Sequence, residues 1–581
     1  MNEGRDRTKR VNRKGRIGTW LCRLISNVSM VTCIVFALSV SQPVCAKVFN
    51  ISLGDVTKLI KAINKANANG QDNTINLEAG TYTLMAVDND TDGPNGLPSI
   101  TSNITINGAG ADITIIERDT SAPSFRIFHV SATGSLTLNG ITIRRGGSST
   151  SDFIIVNGGG IFNNGGIVNV INSTISENIA ALGPFRTGPD SKGGGIFNKD
   201  GFVNVNNSII AKNGAFDGGG IFSSGTLTIY KGIFTDNGGG IFTGGSGAID
   251  NSGTMTITKS SIINNGSSGT GGILNSGQAT IIKSSIFNNS GELNSGGFSS
   301  SGTLNITNST IADNFSTNGT GGILNTGTLS ITNCTIADNH SGSPSAGIAN
   351  TGKAELQNTI LALNLGLIGF SDCSGTITSL GNNIIGDTTN CTVDLQASDL
   401  TGDPGLDTFT DNGTPSNGHF PLVPNSQAID AGNNAICLAN PILATDQVGQ
   451  PRIGVCDIGA IEFQQQINDK VSFEPIASTF RTTSNTNGCP SGFVGKLSFN
   501  ARLTDKNTSP PLSSLIIQVA NITNGNLLQN ADGGPGGVGA TLTPPNTSLS
   551  PGRSEKVLFV ICLKQMGEFS FFVNILGIAE Q

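Results

Sequence analysis

The sequence predicts an all-β protein organised as a parallel β-helix, a solenoid of about 25 residues per coil. Three observations carry the prediction. A phrase of the form (N/K)-small-x-(I/L/F)-x-x-N occurs eight times between residues 172 and 364, and its closing asparagines end 24, 25, 25 and 25 residues apart over the last copies. Between the copies lies a second phrase, GGGIFN or GGILN, and a third, GTLTI or GTLSI, whose apolar residues alternate with polar ones. With 79 glycines and only 13% charged residues, the chain has the composition of many short strands joined by tight corners.

The first 46 residues are set apart. Arg5, Arg7, Lys9, Arg10, Arg13, Lys14, Arg16 and Arg23 face only Glu3 and Asp6, and the apolar run VSMVTCIVFALSV follows. The small residues of VCA at 44–46 complete the pattern of a secretory signal peptide cut after Ala46. The rival reading, a membrane anchor, is disfavoured because the apolar run is short for a span. No later segment is apolar enough to cross a bilayer as a helix, so the mature chain is expected to have no transmembrane segment. Without the leader, 25 Lys and Arg stand against 38 Asp and Glu, a net charge of −13. That balance argues against nucleic acid as a partner.

Residues 47–390 are assigned to the β-helix and its N-terminal cap. GDVTKLIKAINKANA (54–68) reads as an amphipathic helix with Val56, Leu59, Ile60 and Ile63 on one face and Asp55 as its cap, placed to plug the open end of the solenoid. TINLEAGTYTL (74–84) and ITSNITINGAG (100–110) begin the coils. Inward columns then read Leu227, Met255, Ala279, Leu304, Leu329 and Ile229, Ile257, Ile281, Ile306, Ile331. No coil buries these alone, so stacking supplies the core. Ten to twelve coils at about 4.8 Å each make a rod roughly 50–60 Å long.

Several stretches resemble known families. The opening helix followed by DNTINLEAGTYTL resembles secreted right-handed β-helix proteins of the pectin lyase-like superfamily. The GG-I-(F/L)-N and I-x-x-N phrases resemble repeats of polymorphic outer-membrane proteins, which are surface adhesins. DPGLDTFTDNGTPSNGHFPLVPNSQAIDAG (403–432) with DQVGQPRIGVCDIGAIEF (446–463) resembles the choice-of-anchor Q domain of bacterial surface proteins, so residues 391–465 are assigned to it as the C-terminal part of the β-helix. The resemblances imply a right-handed solenoid in an extracellular or cell-surface setting and no specific activity. The chain departs from them in lacking a long C-terminal run of barrel strands and a sorting motif before an apolar tail. Residues 470–581 instead alternate like a small immunoglobulin-like β-sandwich.

Seven cysteines remain outside the leader, and export permits disulfides. The simplest local pairing is Cys373 with Cys391, Cys437 with Cys456 and Cys489 with Cys562. Cys334 is left over. It falls in the column Ser173, Ser208, Gly232, Ser260, Ser284, Ser309, Cys334, Thr359, all small, and reads as a buried free thiol at a cramped inner corner. No C-x-x-C pair is present and histidine is scarce, so neither a metal nor a cofactor is expected.

An enzyme reading has little to stand on. The resemblance to pectin lyase-like proteins raises the inverting polygalacturonases, whose N-T-D, D-D, G-H-G and R-I-K set does not occur here; NGHF (417–420) and FRIFH (125–129) are the nearest pieces. The acids Asp190, Asp217, Asp236, Asp250, Asp313 and Asp338 are scattered along the repeats, and Asp313 with Asp338 reads as a solvated turn column. His129, His340 and His419 lie far apart and read as structural or solvent-facing. No Trp follows the leader, and Tyr82 and Tyr230 are the two tyrosines. The sharper surface feature is the outward face of the GTLTI-type strands: Thr226, Thr254, Thr303 and Thr328 with Gln278 in one column, Thr228, Thr256 and Thr280 with Asn305 and Ser330 in the next, and Tyr230, Thr258, Ile282, Thr307 and Thr332 in a third. Threonine favours strands for its own reasons; a flat ligand face, for a glycan or for ice, is the alternative. The expectation is an exported, non-catalytic β-helix with an adhesin-like or structural role toward glycans or other cell-surface ligands. A polysaccharide lyase or glycoside hydrolase with a divergent site is the other reading.

Overall fold

The computed structural model describes residues 46–147, 156–180, 191–240, 245–439, 442–452, 454–506, 511–532 and 536–579. The expected leader, apart from Ala46, lies outside the described residues.

The chain enters through the strand Val48–Ile51 and the helix Val56–Asn69. Asp55 caps the helix, its carboxylate accepting from the Lys58 amide at 2.9 Å. The buried stripe is Leu59, Ala62, Ile63 and Ala66, with Val56 and Ile60 only partly buried against it. Ala62 and Ala66, rather than the expected Val56 and Ile60, complete the buried stripe with Leu59 and Ile63.

Beyond the helix the strands stack in register, each pairing in parallel with its counterpart one coil away. Thr226–Tyr230 lies on Thr254–Thr258, which lies on Gln278–Ile282, and so on through Lys353–Gln357. These five-residue strands make the long-strand sheet. A second sheet of thirteen short strands runs from Gly80–Leu84 to Leu400–Thr401. At about 4.8 Å per strand it spans close to 60 Å. A third sheet holds the IFN-type strands, from Phe128–Val130 to Ile348–Asn350 and Cys373–Ser379. The last coils carry a fourth, minor sheet of two-residue strands such as Phe315–Ser316 and His340–Ser341, which the three-strand pattern of the phrases does not announce. The coils therefore continue to Thr401, past residue 390, and the rest of 391–465 does not extend the stack.

All ten residues of the two predicted inward columns are buried. Each of the nine larger side chains, all but Ala279, contributes roughly 1.5–3 kcal/mol by leaving water. The corners divide their work. The first residue of the phrase takes the left-handed conformation, with φ of 53° at Lys231, 49° at Lys259, 46° at Asn308 and 53° at Asn333, and so does the residue before the closing asparagine. Lysine and aspartate occupy these places as well as asparagine, so the register of the coil, not residue preference alone, imposes the backbone. The GG phrase has a different cause: a Cβ on Gly194 would lie 2.5 Å from the carbonyl oxygens of Gly214 and Gly219 in the next coil.

The closing asparagines turn inward and form a ladder. Each Nδ2 donates to the Oδ1 of the next coil's asparagine: Asn178 to Asn213 at 3.0 Å, Asn289 to Asn314 at 3.0 Å, Asn314 to Asn339 at 2.9 Å, and Asn339 to Asn364 at 2.9 Å. The same oxygens accept the backbone amide of the preceding asparagine, as Asn339 does from Asn314 at 3.2 Å. A parallel seam of hydroxyls joins the small column, Ser284 N–H donating to Ser309 Oγ at 3.1 Å and Cys334 N–H to Thr359 Oγ1 at 3.4 Å. Cys334 is fully buried and unpaired, its Sγ 3.2 Å from the Thr332 carbonyl, and burial pushes its thiol up to about 12.

Residues 470–579 form two antiparallel sheets around one core. Val471–Pro475, Gly495–Asp505 and Ser554–Leu563 make the first, and Leu512–Ile522 with Phe571–Ala579 the second. Phe499, Phe559, Ile517 and Ile575 meet between them. The three disulfides are Cys373–Cys391, Cys437–Cys456 and Cys489–Cys562. Among the described residues no helix is long and apolar enough to cross a membrane.

Candidate functional site

Four surfaces of the solenoid carry chemistry, and the chain itself closes the first. In the short-strand sheet Ser285, Thr310 and Thr335 alternate with the inward Ile286, Ile311 and Ile336 and so point outward, yet all three are buried. Residues 403–463 lie across them. Gln447 donates to Ser285 Oγ at 3.0 Å and accepts from Thr310 Oγ1 at 2.6 Å, and the Ala460 amide donates to Thr335 Oγ1 at 3.1 Å. Phe409 and Phe420 pack on Phe287, Ala312 and Ala337. The charged residues of DQVGQPRIGVCDIGAIEF hold this wrap together. The Arg452 guanidinium, fully buried, reaches Glu462 Oε2 at 3.2 Å, Asn308 Oδ1 at 3.2 Å and the Gly459 carbonyl at 2.7 Å. Asp446 accepts the amides of Gln450 and Glu462 at 2.7 and 3.2 Å. The stretch is a clamp against the solenoid wall.

The outward face of the long-strand sheet is open. Register places Thr226, Thr254, Gln278, Thr303 and Thr328 in one column and Thr228, Thr256, Thr280, Asn305 and Ser330 in the next. Thr228, Thr254, Gln278, Thr303, Asn305 and Thr328 are exposed, while Thr226, Thr256, Thr280 and Ser330 are half-buried between neighbours. No charged residue enters these columns before Lys353 and Glu355, which pair with each other at 2.6 Å. Toward the N-terminus the same face carries asparagines, Asn204 Nδ2 donating to Asn169 Oδ1 at 2.8 Å. The side chains are thus spaced by the strand repeat.

The third sheet brings together residues that the sequence scatters. Its central outward column reads His129, Phe162, Phe197, Phe222, Asp250, Leu274. Phe162 and Phe197 stack with centroids 4.9 Å apart. Arg126 lies 4.9 Å over the Phe162 ring and Lys192 4.6 Å over that of Phe222. Beside Phe222, Asp250 is raised to about 7 by burial, with Asp217 adding repulsion and Lys192 opposing. Asp217 is raised by burial against the pull of Lys192. A signal for this cluster was present: GAIDN (247–251) is a further copy of the GGIFN phrase, with Asp250 in the phenylalanine place. Asp190 lies outside the described residues. His129, at the column's head, is pinned between Ser99 Oγ and Asp92 Oδ2, both at 3.0 Å, and burial keeps its pKa below the ordinary value. It fastens the 88–97 loop to the coil, a structural role. His419 is bonded to the Asn417 carbonyl at 2.6 Å, and His340 is half-exposed beside Asp313.

The fourth surface is a cleft of about 740 Å³ between one solenoid flank and the C-terminal sheets. Lys231, Lys259 and Lys283, the first residues of three consecutive phrases, line it with Gln529 and Asp532. Burial, together with Lys259 and Arg452, lowers Lys283 to about 8 despite Asp446, and its Nζ donates to Thr445 Oγ1. Among the described residues no cluster of three His, Cys, Asp or Glu side chains is placed to hold a metal ion.

No family model and no curated protein matches the chain. Solved structures with similar folds include pectate lyase Pel9A, at 15% identity and a TM-score of 0.35, over 72% of this chain and 96% of that one. The A-module of the mannuronan C-5 epimerase AlgE6 from Azotobacter vinelandii matches at 13% identity and 0.37, over 61% and 100%. The enzymatically active domain of tailspike protein 4 of bacteriophage CBA120 matches at 11% and 0.26, over 89% and 65%. The stacked parallel sheets make this chain a parallel β-helix.

Proposed function

We propose that the chain is an exported, non-catalytic β-helix protein that holds a neutral glycan on the open face of its long-strand sheet. The observation that supports this reading is the pair of charge-free Thr/Asn/Ser columns, in register over consecutive coils and free of the wrap that covers the short-strand sheet. Hydroxyl and amide groups repeated every strand offer a sugar chain matching donors and acceptors, and the rigid sheet fixes their spacing. In this reading residues 1–46 direct export, residues 391–465 act as the choice-of-anchor Q-like part, and the C-terminal sheets are an immunoglobulin-like module displayed at the cell surface. The test is retention on immobilised neutral glycans. Thr256→Lys with Thr280→Lys should abolish it while leaving circular dichroism unchanged, and unchanged retention would reject the reading.

A second reading, polysaccharide cleavage, is favoured by one observation: Asp250 and Asp217 sit with Lys192 beside Phe222, and one of these carboxylates holds its proton near neutrality. Glycosidic-bond hydrolysis uses two carboxyl groups, one of them an acid whose pKa is raised by its surroundings, as burial raises Asp250. Release of reducing ends or unsaturated products from any glycan, lost in Asp250→Asn, would establish it over the first.

A further inference from the structure

The last solenoid coils carry an apolar projection that neither surface above uses. Leu365–Gly366 and Gly369–Phe370 pair antiparallel, Leu365 opposite Phe370 and Gly366 opposite Gly369, and so close a tight hairpin at the end of the minor sheet. Its large side chains face water: Ile368 is 82% exposed, Leu367 68%, Phe370 60% and Leu365 42%. Phe315 at 44% stands in the same outward column two strands away, with His340 between. From Leu356 to Ser371 the sequence contains no Asp, Glu, Lys or Arg. Exposed apolar residues of this size gathered at one convex point are uncommon on a soluble surface.

We propose that this hairpin is a lipid-contacting tip that inserts its four apolar side chains into the acyl boundary of an uncharged bilayer. Two features favour lipid over a second copy of the chain. The strands of the projection are satisfied within the chain: they pair with each other, Leu365 N–H donates to the Asn339 carbonyl at 2.8 Å, and Leu367 N–H to that of Ser343 at 3.0 Å. Segments that enter hydrocarbon must meet that condition. A stable dimer, by contrast, needs about 800 Å² from each partner, more than four side chains at a convex tip supply. The negative net charge of the chain disfavours anionic headgroups, so the matching surface is zwitterionic.

The test is co-sedimentation of the full protein with phosphatidylcholine vesicles at low and high salt. Binding that survives high salt is expected, and Leu367→Ser with Ile368→Ser should lower the bound fraction at least tenfold with circular dichroism unchanged. In an Ile368→Trp variant, brominated phosphatidylcholine should quench the added fluorescence. Absence of binding by the unsubstituted protein, equal binding by the double variant, or an unquenched tryptophan would each overturn the proposal. So would a dimer in sedimentation velocity that the double substitution dissociates, which would assign the tip to self-association.

Discussion

Asn364 donates its side-chain amide to Asp372 Oδ1 at 2.8 Å, and there the asparagine ladder ends on a carboxylate. Every amide above it points its N–H₂ group toward the next coil, so the seam is a row of aligned dipoles with its donor end at Asp372. The second oxygen of Asp372 accepts the Asp387 amide at 2.7 Å, so one acid closes the seam and ties down the chain that follows. Burial raises its pKa to about 6 while these bonds pull the other way.

The ladder predicts a large cost for a small deletion. Asn314→Ala takes the acceptor from the Asn289 backbone amide inside the wall and removes the bonds of the Asn314 side chain to the Asn289 amide, the Ile286 carbonyl and Asn339 Oδ1. Each stranded buried group costs about 1–3 kcal/mol, so urea unfolding should show a loss of roughly 3 kcal/mol or more. Thr303→Ala, on the open face of the same coil, should stay within about 0.5 kcal/mol.

Asp250 predicts a pH window. Its pKa in the fold, about 7, exceeds the ordinary 3.8, so the fold binds its proton more tightly than the unfolded chain does. That contribution is complete below about pH 4 and is lost as pH rises toward 7. Asp250→Asn should remove this share of the decline and stabilise the protein at pH 8 by about 4 kcal/mol, at 1.36 kcal/mol per pKa unit. Thermal melts of both proteins at pH 4.5 and 8 check this, and parallel curves would refute it.

Cys334 should resist iodoacetamide in the folded protein and react once unfolded, because its thiol is fully buried and its pKa is about 12. Cys334→Ser restores the residue found elsewhere in the column and should change stability by less than about 1 kcal/mol. Mass spectrometry after native and denaturing labelling decides the first point.

Removing the clamp should free the wrap and leave the coils. Arg452→Ala takes the cation away from Glu462, which is 2% exposed, and a donor away from Asn308 Oδ1. Breaking a buried pair from one side costs about 3–5 kcal/mol. Limited proteolysis should then cut within 403–463 while the solenoid core stays intact; an unchanged digestion pattern would show that the wrap stands without the arginine.

What was legible in the sequence follows from how each part is encoded. The solenoid repeats its message, so the columns of Leu227 and Ile229 could be aligned without coordinates, and so could the small corner around Cys334. The outward threonines followed from alternation in the same strands. The wrap was readable as a motif but not as a location, since nothing in DQVGQPRIGVCDIGAIEF reports that Gln447 lies against Ser285 across 162 residues of chain. The Lys192–Asp217–Asp250 cluster was missed because GAIDN replaces phenylalanine by aspartate and hides its kinship with GGIFN.

The wrap also fixes how many coils the protein tolerates. Its contacts fall on successive coils: Ser416 on Ser261, Gln447 on Ser285 and Thr310, Ala460 on Thr335, and Gly459 on Asn358. Duplication of a 25-residue unit before Ser261 would lengthen the rod without disturbing any of them. The same duplication between Ser261 and Asn358 would pull these contacts one strand spacing out of step. Residues 403–463 therefore act as a gauge of copy number, and a coil is expected to be gained or lost only where the gauge does not touch.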